Sequence, residues 1–277
     1  MKIFMAIGDS NIVPLFYDTT KIKLNYLISY AYLEGQAVKL TKEYRQMIDQ
    51  LFLDSGAFTS STGKAIVTIS EYLKYLKRYG KYFGAAFNLD DDFTNPEKNY
   101  VNQVTLEKGL EGTGVRPVPV VHDTENPFEE LQRYANQGHT FIAIGSNKPL
   151  SDDTFKKIKE TYPDLKLHMF GNLRRKMLFT HKPYSSDSTE YAVAAGFSKI
   201  LYWDPIEKKE YKISVGSREG TEEDTVHFND FKKRKELEDF LFKTFKFEYK
   251  DLLPKVEPRW IVNMYFFHQL EDAINQS

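Results

Sequence analysis

Short apolar runs that end in polar residues or glycine recur along the chain, at Ile3–Ile7, Leu51–Leu53, Phe83–Leu89, Val118–Val121, Phe141–Ile144 and Leu165–Phe170, and again near Pro183–Ser186 and Ile200–Trp203. Runs of this length, bounded by turn-forming residues, predict buried strands. Between them the apolar spacing becomes helical, as over Ile69–Tyr79, where Tyr72, Leu73 and Leu76 share a face, and over Pro127–Gln137, Asp152–Tyr162 and Thr189–Ala195. Strand then helix, about eight times, is the order of an α/β chain folded as a (β/α)8 TIM-type barrel. A doubly wound sheet shows a similar alternation, which periodicity alone does not separate from the barrel.

After Trp203 the texture changes. Tyr211–Val215 reads as an edge strand, Ser217–Thr225 as a polar, turn-rich stretch and Phe228–Phe245 as a charged amphipathic helix. A further helix over Arg259–Ile274 carries Trp260, Ile261, Met264, Phe267 and Leu270 on one stripe. The pattern therefore predicts a barrel over residues 1–205 and a C-terminal strand and helix appendage over 206–277, packed on the barrel, with no internal repeat or flexible linker.

Length and composition narrow this picture. At 277 residues the chain suits one barrel of roughly 250 residues plus an addition. Hydrophobic residues at 41% and charged residues at 28% exclude disordered and low-complexity classes. Lys and Arg total 38 and Asp and Glu 39, a net charge of −1, so any contact with a polyanion must come from a local patch. The chain has no cysteine, which removes disulfides, thiolate catalysis, iron–sulfur clusters and every zinc site with a cysteine ligand. The opening MKIFMAIGDSN lacks the features of a signal segment, and no apolar stretch approaches about 18 residues. The expectation is a cytoplasmic protein with no membrane partner.

In a barrel the chemistry gathers where strands end and loops begin, at the C-terminal face. Four strand ends carry reactive groups: Asp54-Ser55-Gly56-Ala57-Phe58, Asp90-Asp91-Asp92, His122-Asp123 and Ser185-Ser186-Asp187-Ser188-Thr189. Each has a local explanation. Asp-Ser-Gly serves turns and helix caps, the aspartate triplet suits a solvated loop or a divalent cation, His122 suits a core edge, and Ser186–Thr189 suits an N-cap.

The order of these motifs resembles the tRNA-guanine transglycosylases, barrel enzymes that exchange guanine for a 7-deazaguanine. Leu53–Phe58 resembles that family's Asp-Ser-Gly-Gly-aromatic signature. Phe87–Asp90 matches a strand ending in a base-recognising aspartate, and Val120-Val121-His122 an apolar pair followed by glutamine. Phe141–Ser146 resembles the Ala-Ile-Gly-Gly segment, Leu167–Gly171 the Leu-Met-Gly-Val-Gly strand, and Ser186-Asp187-Ser188 falls where the nucleophilic aspartate stands. The resemblance covers residues 50–205 and is closest to the compact phage or bacterial enzymes that insert 7-deazaguanines into DNA. The family's structural zinc, held by three cysteines and a histidine, has no counterpart here, so DNA is favoured over tRNA as partner. Ala57, His122 and Ser146 replace the family's glycine, glutamine and second glycine.

Base exchange with retention at C1′ needs a carboxylate nucleophile and a second group that handles the base's proton. The resemblance gives these roles to Asp187 and Asp54. Phe58 then offers a π-face, Asp90 accepts from the purine's N–H donors, and Ser55, His122, Gly145, Ser146 and His168 complete the base site. Between Asn172 and Ser186, Arg174, Arg175, Lys176 and Lys182 give +4 with no acid, a patch suited to phosphates or to a solvated helix face. No cofactor or metal is expected; the expected partners are nucleic acid and a 7-deazaguanine base, with a homodimer admissible. The rival readings are a nucleoside or glycoside hydrolase using the same two carboxylates, and a non-catalytic nucleic-acid-binding subunit.

Overall fold

The computed structural model describes residues 1–32, 36, 38–57, 67–90, 92–145, 148–216 and 224–277. In chain order the first elements are β1 (Lys2–Ile7), α1 (Ile12–Thr20), β2 (Leu24–Ser29), β3 (Ile48–Asp54), α2 (Ile69–Tyr79), β4 (Ala85–Ala86), α3 (Pro96–Gly109), β5 (Val120–Val121) and α4 (Phe128–Asn136). There follow β6 (Phe141–Ile144), α5 (Asp152–Thr161), β7 (Lys166–Met169), α6 (Arg175–His181) and β8 (Ser185–Ser188). Then come α7 (Glu190–Gly196), β9 (Lys199–Asp204), β10 (Lys209–Ser214), β11 (Thr225–His227), α8 (Arg234–Phe245) and α9 (Glu257–Gln276). The chain divides into two units, one of residues 1–10 and 24–188, the other of residues 11–23 and 189–277.

The first unit is built on an eight-stranded parallel sheet in the order β4-β3-β2-β1-β8-β7-β6-β5. It is curled as a half-barrel, compatible with a TIM-like fold. At its two ends β4 and β5 share no ladder but one isolated parallel bridge, Phe87 with Val118. Asn88 N–H donates to Val118 O at 2.9 Å and Val118 N–H to Ala86 O at 2.8 Å around that bridge. The predicted α/β class and parallel alternation thus hold.

Alternation along each strand sets the site. Phe4, Leu27, Phe52, Ala85, Val120 and Ala143 lie on one face and join Phe87 and Val118 in a single apolar cluster. Phe4 and Phe52 stack with centroids 3.9 Å apart, and burying each such ring contributes roughly 2–3 kcal/mol. Because side chains alternate with period two, two residues further along the same face come Ser29, Asp54, His122 and Gly145, and in β8 Ser185 and Asp187 share one face. An apolar floor and a polar rim follow directly from the register.

Helix starts are set locally. Thr68 and Glu71 form a capping box at α2, Glu71 N–H donating to Thr68 Oγ1 at 3.3 Å, and Asn95 caps α3 by accepting from Lys98 N–H at 3.0 Å ahead of Pro96. From α3, Asn99 Nδ2 donates to Asp92 O at 2.7 Å and Asn102 Nδ2 to Leu89 O at 2.8 Å, which fixes the loop carrying Asp90.

The second unit contains a three-stranded sheet in the order β11-β10-β9. Two expectations are corrected here. Ile200–Trp203 belongs to β9, which pairs antiparallel with β10 and is no member of the parallel sheet. Asp204 Oδ1 accepts from Ile206 N–H at 2.8 Å and Glu207 N–H at 3.0 Å, and this Asx turn reverses the chain. Tyr211–Val215 is accordingly not an edge, since β10 is the central strand. Along the chain the second unit resumes at Thr189, and it includes α1. Buried Asn263 of α9 accepts from Leu201 N–H at 2.7 Å and donates to Tyr191 O at 2.9 Å, tying α9 to β9 and α7. Among the described residues no helix is long and apolar enough to cross a membrane.

Candidate active site

The polar rim of the parallel sheet carries two linked groups of side chains. In the first, Asp90 lies between two neighbours: Ser55 Oγ donates to its Oδ1 at 3.1 Å, and His122 Nε2 lies 2.8 Å from its Oδ2. All three are buried. A carboxylate only accepts, so His122 carries a proton on Nε2, and its buried Nδ1 has no partner among the described residues. Each Asp90 oxygen keeps a lone pair for a further donor. The remaining local explanations now separate: Asp92 Oδ1 accepts from Thr94 N–H at 3.1 Å and serves a turn, and so does Asp123 Oδ1, which accepts from Asn126 N–H at 2.9 Å.

Asp54 ends β3 beside Ser29 of β2, its register partner. Its Oδ2 accepts from Gly56 N–H at 3.1 Å, and Ser29 also hydrogen-bonds the carboxyl. Burial first, then the negative charges of Asp90 and Asp187, push this carboxyl up to about 7 against those two hydrogen bonds. Gly56 makes the close approach feasible: its φ is +85°, and a Cβ there would lie 2.8 Å from Ala31 Cβ and 2.9 Å from Ser29 Oγ. Tyr72 of α2 is buried below, its hydroxyl donating to Phe87 O at 2.7 Å; burial, and then Asp54 and Asp90, raise its pKa well above the usual tyrosine value, so it stays a neutral donor.

The second group surrounds Asp187 in β8. Its Oδ1 accepts from Gly171 N–H at 3.0 Å, and among the described residues no hydrogen bond reaches Oδ2. His168 of β7 is completely buried beneath it, with Nε2 3.3 Å from Asp187 Oδ1 and Nδ1 2.9 Å from Ser185 Oγ. The imidazole is set among Phe87 and Phe170, at centroid distances of 4.9 and 4.7 Å. The N-cap explanation for this segment finds no support, since Thr189 makes no side-chain cap at α7.

Gly145 sits over Phe170, where a Cβ would lie 3.1 Å from the ring's Cδ2. A cavity of about 230 Å³ opens nearby among Thr124, Ile144, Lys148, Phe170, Gly171 and Arg174. The basic stretch is only partly available. The Arg174 guanidinium donates to Leu150 O and lies 3.8 Å from Asp152, and Arg175 Nη1 donates to Leu173 O at 2.7 Å, whereas Lys176 and Lys182 are exposed. Phe58 and Ser146, both expected in the base site, lie outside the described residues, as does Asp91. Among the described residues no three of His, Asp and Glu come together as metal ligands.

The rim thus brings together Asp54, Ser55, Asp90, His122, His168 and Asp187. Sequence reasoning did not find Ser29 or Tyr72 as parts of the site, and named Ser185 only within a strand-end segment, with no role. Register exposes Ser29, opposite Asp54, while a serine closing an unrecognised strand carries no signal in the sequence. Compared with known proteins, the chain matches no family model and no curated protein.

Proposed function

We propose that the first unit is a (β/α)8 transglycosylase that exchanges guanine in a polynucleotide, DNA rather than tRNA, for a 7-deazaguanine. The observation that carries the reading is the contrast between two carboxyls on one rim. Asp54 has a pKa raised to about 7, suited to giving and taking a proton at neutral pH, while Asp187 has one oxygen held and, among the described residues, no hydrogen bond on the other.

In the first half-reaction Asp187 Oδ2 bonds to C1′ as the bond from C1′ to guanine breaks. The electron pair of that bond leaves with guanine, which takes a proton from Asp54. In the second, the incoming base gives its proton to Asp54 and attacks C1′, and Asp187 departs as a carboxylate. Atoms and charges balance without a cofactor. Asp90, braced by Ser55 and His122, would accept from the base's N–H donors, and the exposed Lys176 would meet a phosphate. Barrel closure would pass through the Phe87–Val118 bridge.

The test is transfer of labelled guanine into duplex DNA, single-stranded DNA or tRNA. Label in DNA supports the reading. Release of free base without incorporation would favour the hydrolase that uses the same two carboxylates.

A further inference from the structure

A buried histidine beside the candidate nucleophile has a proton whose position can be worked out. Ser185 Oγ has one hydrogen, and the hydrogen bond shown for it is the one to His168 Nδ1 at 2.9 Å. If Ser185 donates, Nδ1 accepts and the imidazole proton must sit on Nε2. Among the described residues Nε2 has no aligned hydrogen-bond partner, and Asp187 Oδ1 lies 3.3 Å from it, off the N–H axis. The opposite arrangement would leave the Nε2 lone pair 3.3 Å from a carboxylate oxygen inside an aromatic shell of Phe4, Phe52, Phe87 and Phe170, where like partial charges repel more strongly than in water.

We infer that Ser185 and His168 form a positioning pair for Asp187, in which Ser185 fixes the Nε2–H tautomer and sets that N–H dipole 3.3 Å from Oδ1, beside the Gly171 N–H that bonds the same oxygen, so that Oδ2 is the oxygen that attacks. This deepens, and rests on, the transglycosylase reading of Asp187. The Gly171 N–H bond and the neighbouring Nε2–H dipole both favour negative charge on Oδ1 and so bias the carboxylate's orientation before attack. They act again when the ester breaks and negative charge returns to that group, the moment at which a preorganised donor in a dry site is most effective. His168 therefore acts through Asp187 and not on the base, which revises its place in the expected base site.

Two measurements test the pair. In protein labelled with ¹⁵N-histidine, the ring signals lost in His168→Phe identify His168, and the proton is expected on Nε2 with Nδ1 bare; Ser185→Ala should shift the ring toward a mixture of tautomers. A proton on Nδ1 in the parent protein overturns the inference. In covalent capture of a guanine-bearing oligonucleotide, His168→Phe keeps an aromatic ring in the floor but has no donor, and should slow capture about ten- to hundredfold with base affinity unchanged. His168→Gln restores an N–H donor and should recover to within about tenfold of the parent. Capture by His168→Phe at the parent rate also overturns the pair. Absence of capture in the parent itself would instead remove the transglycosylase reading, and the tautomer measurement would still decide the arrangement.

Discussion

Replacing Asp54 with asparagine should make the protein more stable at alkaline pH, the opposite of what losing a salt-bridged carboxylate does. The site holds this carboxyl at about 7, against a reference value of 3.8. The folded state therefore binds the proton more tightly than the unfolded chain. Stability is fully present below the reference value and falls as pH rises through the window from 3.8 to about 7. The difference, 7 − 3.8 = 3.2 units, at about 1.36 kcal/mol per unit, gives about 4 kcal/mol of stability lost by pH 8. An amide has no charge to ionise, and its oxygen can still accept from Gly56 N–H. Urea unfolding of the parent and Asp54→Asn proteins at pH 4.5, 6 and 8 measures the effect. At pH 4.5 the variant should exceed the parent by only about 1 kcal/mol, and by pH 8 by about 4 kcal/mol, with an unchanged denaturant slope. Parallel pH profiles for the two proteins would refute the argument, because burial and the charges of Asp90 and Asp187 would then not be acting on Asp54.

Further outcomes follow from the same geometry. Asp187→Asn should abolish both base exchange and covalent capture, since an amide forms no glycosyl ester, whereas Asp54→Asn should retain slow capture of a substrate with a better leaving group; gel analysis of the trapped complex distinguishes them. Gly56→Ala places a Cβ 2.8 Å from Ala31 Cβ in a backbone with φ +85°, and should cost about 1–3 kcal/mol in urea unfolding. Lys176→Ala with Lys182→Ala should weaken DNA binding and reduce the slope of log affinity against log salt by about 1–2, while changing Arg174, already bonded to Leu150 O, should act more through local stability.

What could be read from the sequence was the set of strand ends, because buried parallel strands are short apolar runs and their first polar residues mark the rim. Asp54, Asp90 and His122 were legible in this way, whereas Asp187 stands in the polar strand Ser185–Ser188 and was marked only by the family resemblance. Leu24–Ser29 was not legible: Asn25 interrupts its apolar run, although that side chain is buried and donates to Ile3 O at 3.4 Å. Missing this strand hid Ser29 and let Ile200–Trp203 stand in as the eighth. An apolar run looks the same whether it pairs in a parallel sheet or in a hairpin, and only the turn at Asp204 decides. Tyr72 and Ser185 were hidden for another reason. Their roles depend on which carbonyl or ring nitrogen packing brings within reach, and residue type alone does not carry that information.

The central claim is covalent base exchange through Asp187. Incubation with labelled guanine and duplex DNA, single-stranded DNA or tRNA, followed by denaturing separation of polymer from free base, tests it most directly. Label is expected in DNA from the parent protein and none from Asp187→Asn. Incorporation at the parent rate by Asp187→Asn, or no label in any polymer from the parent, would contradict it.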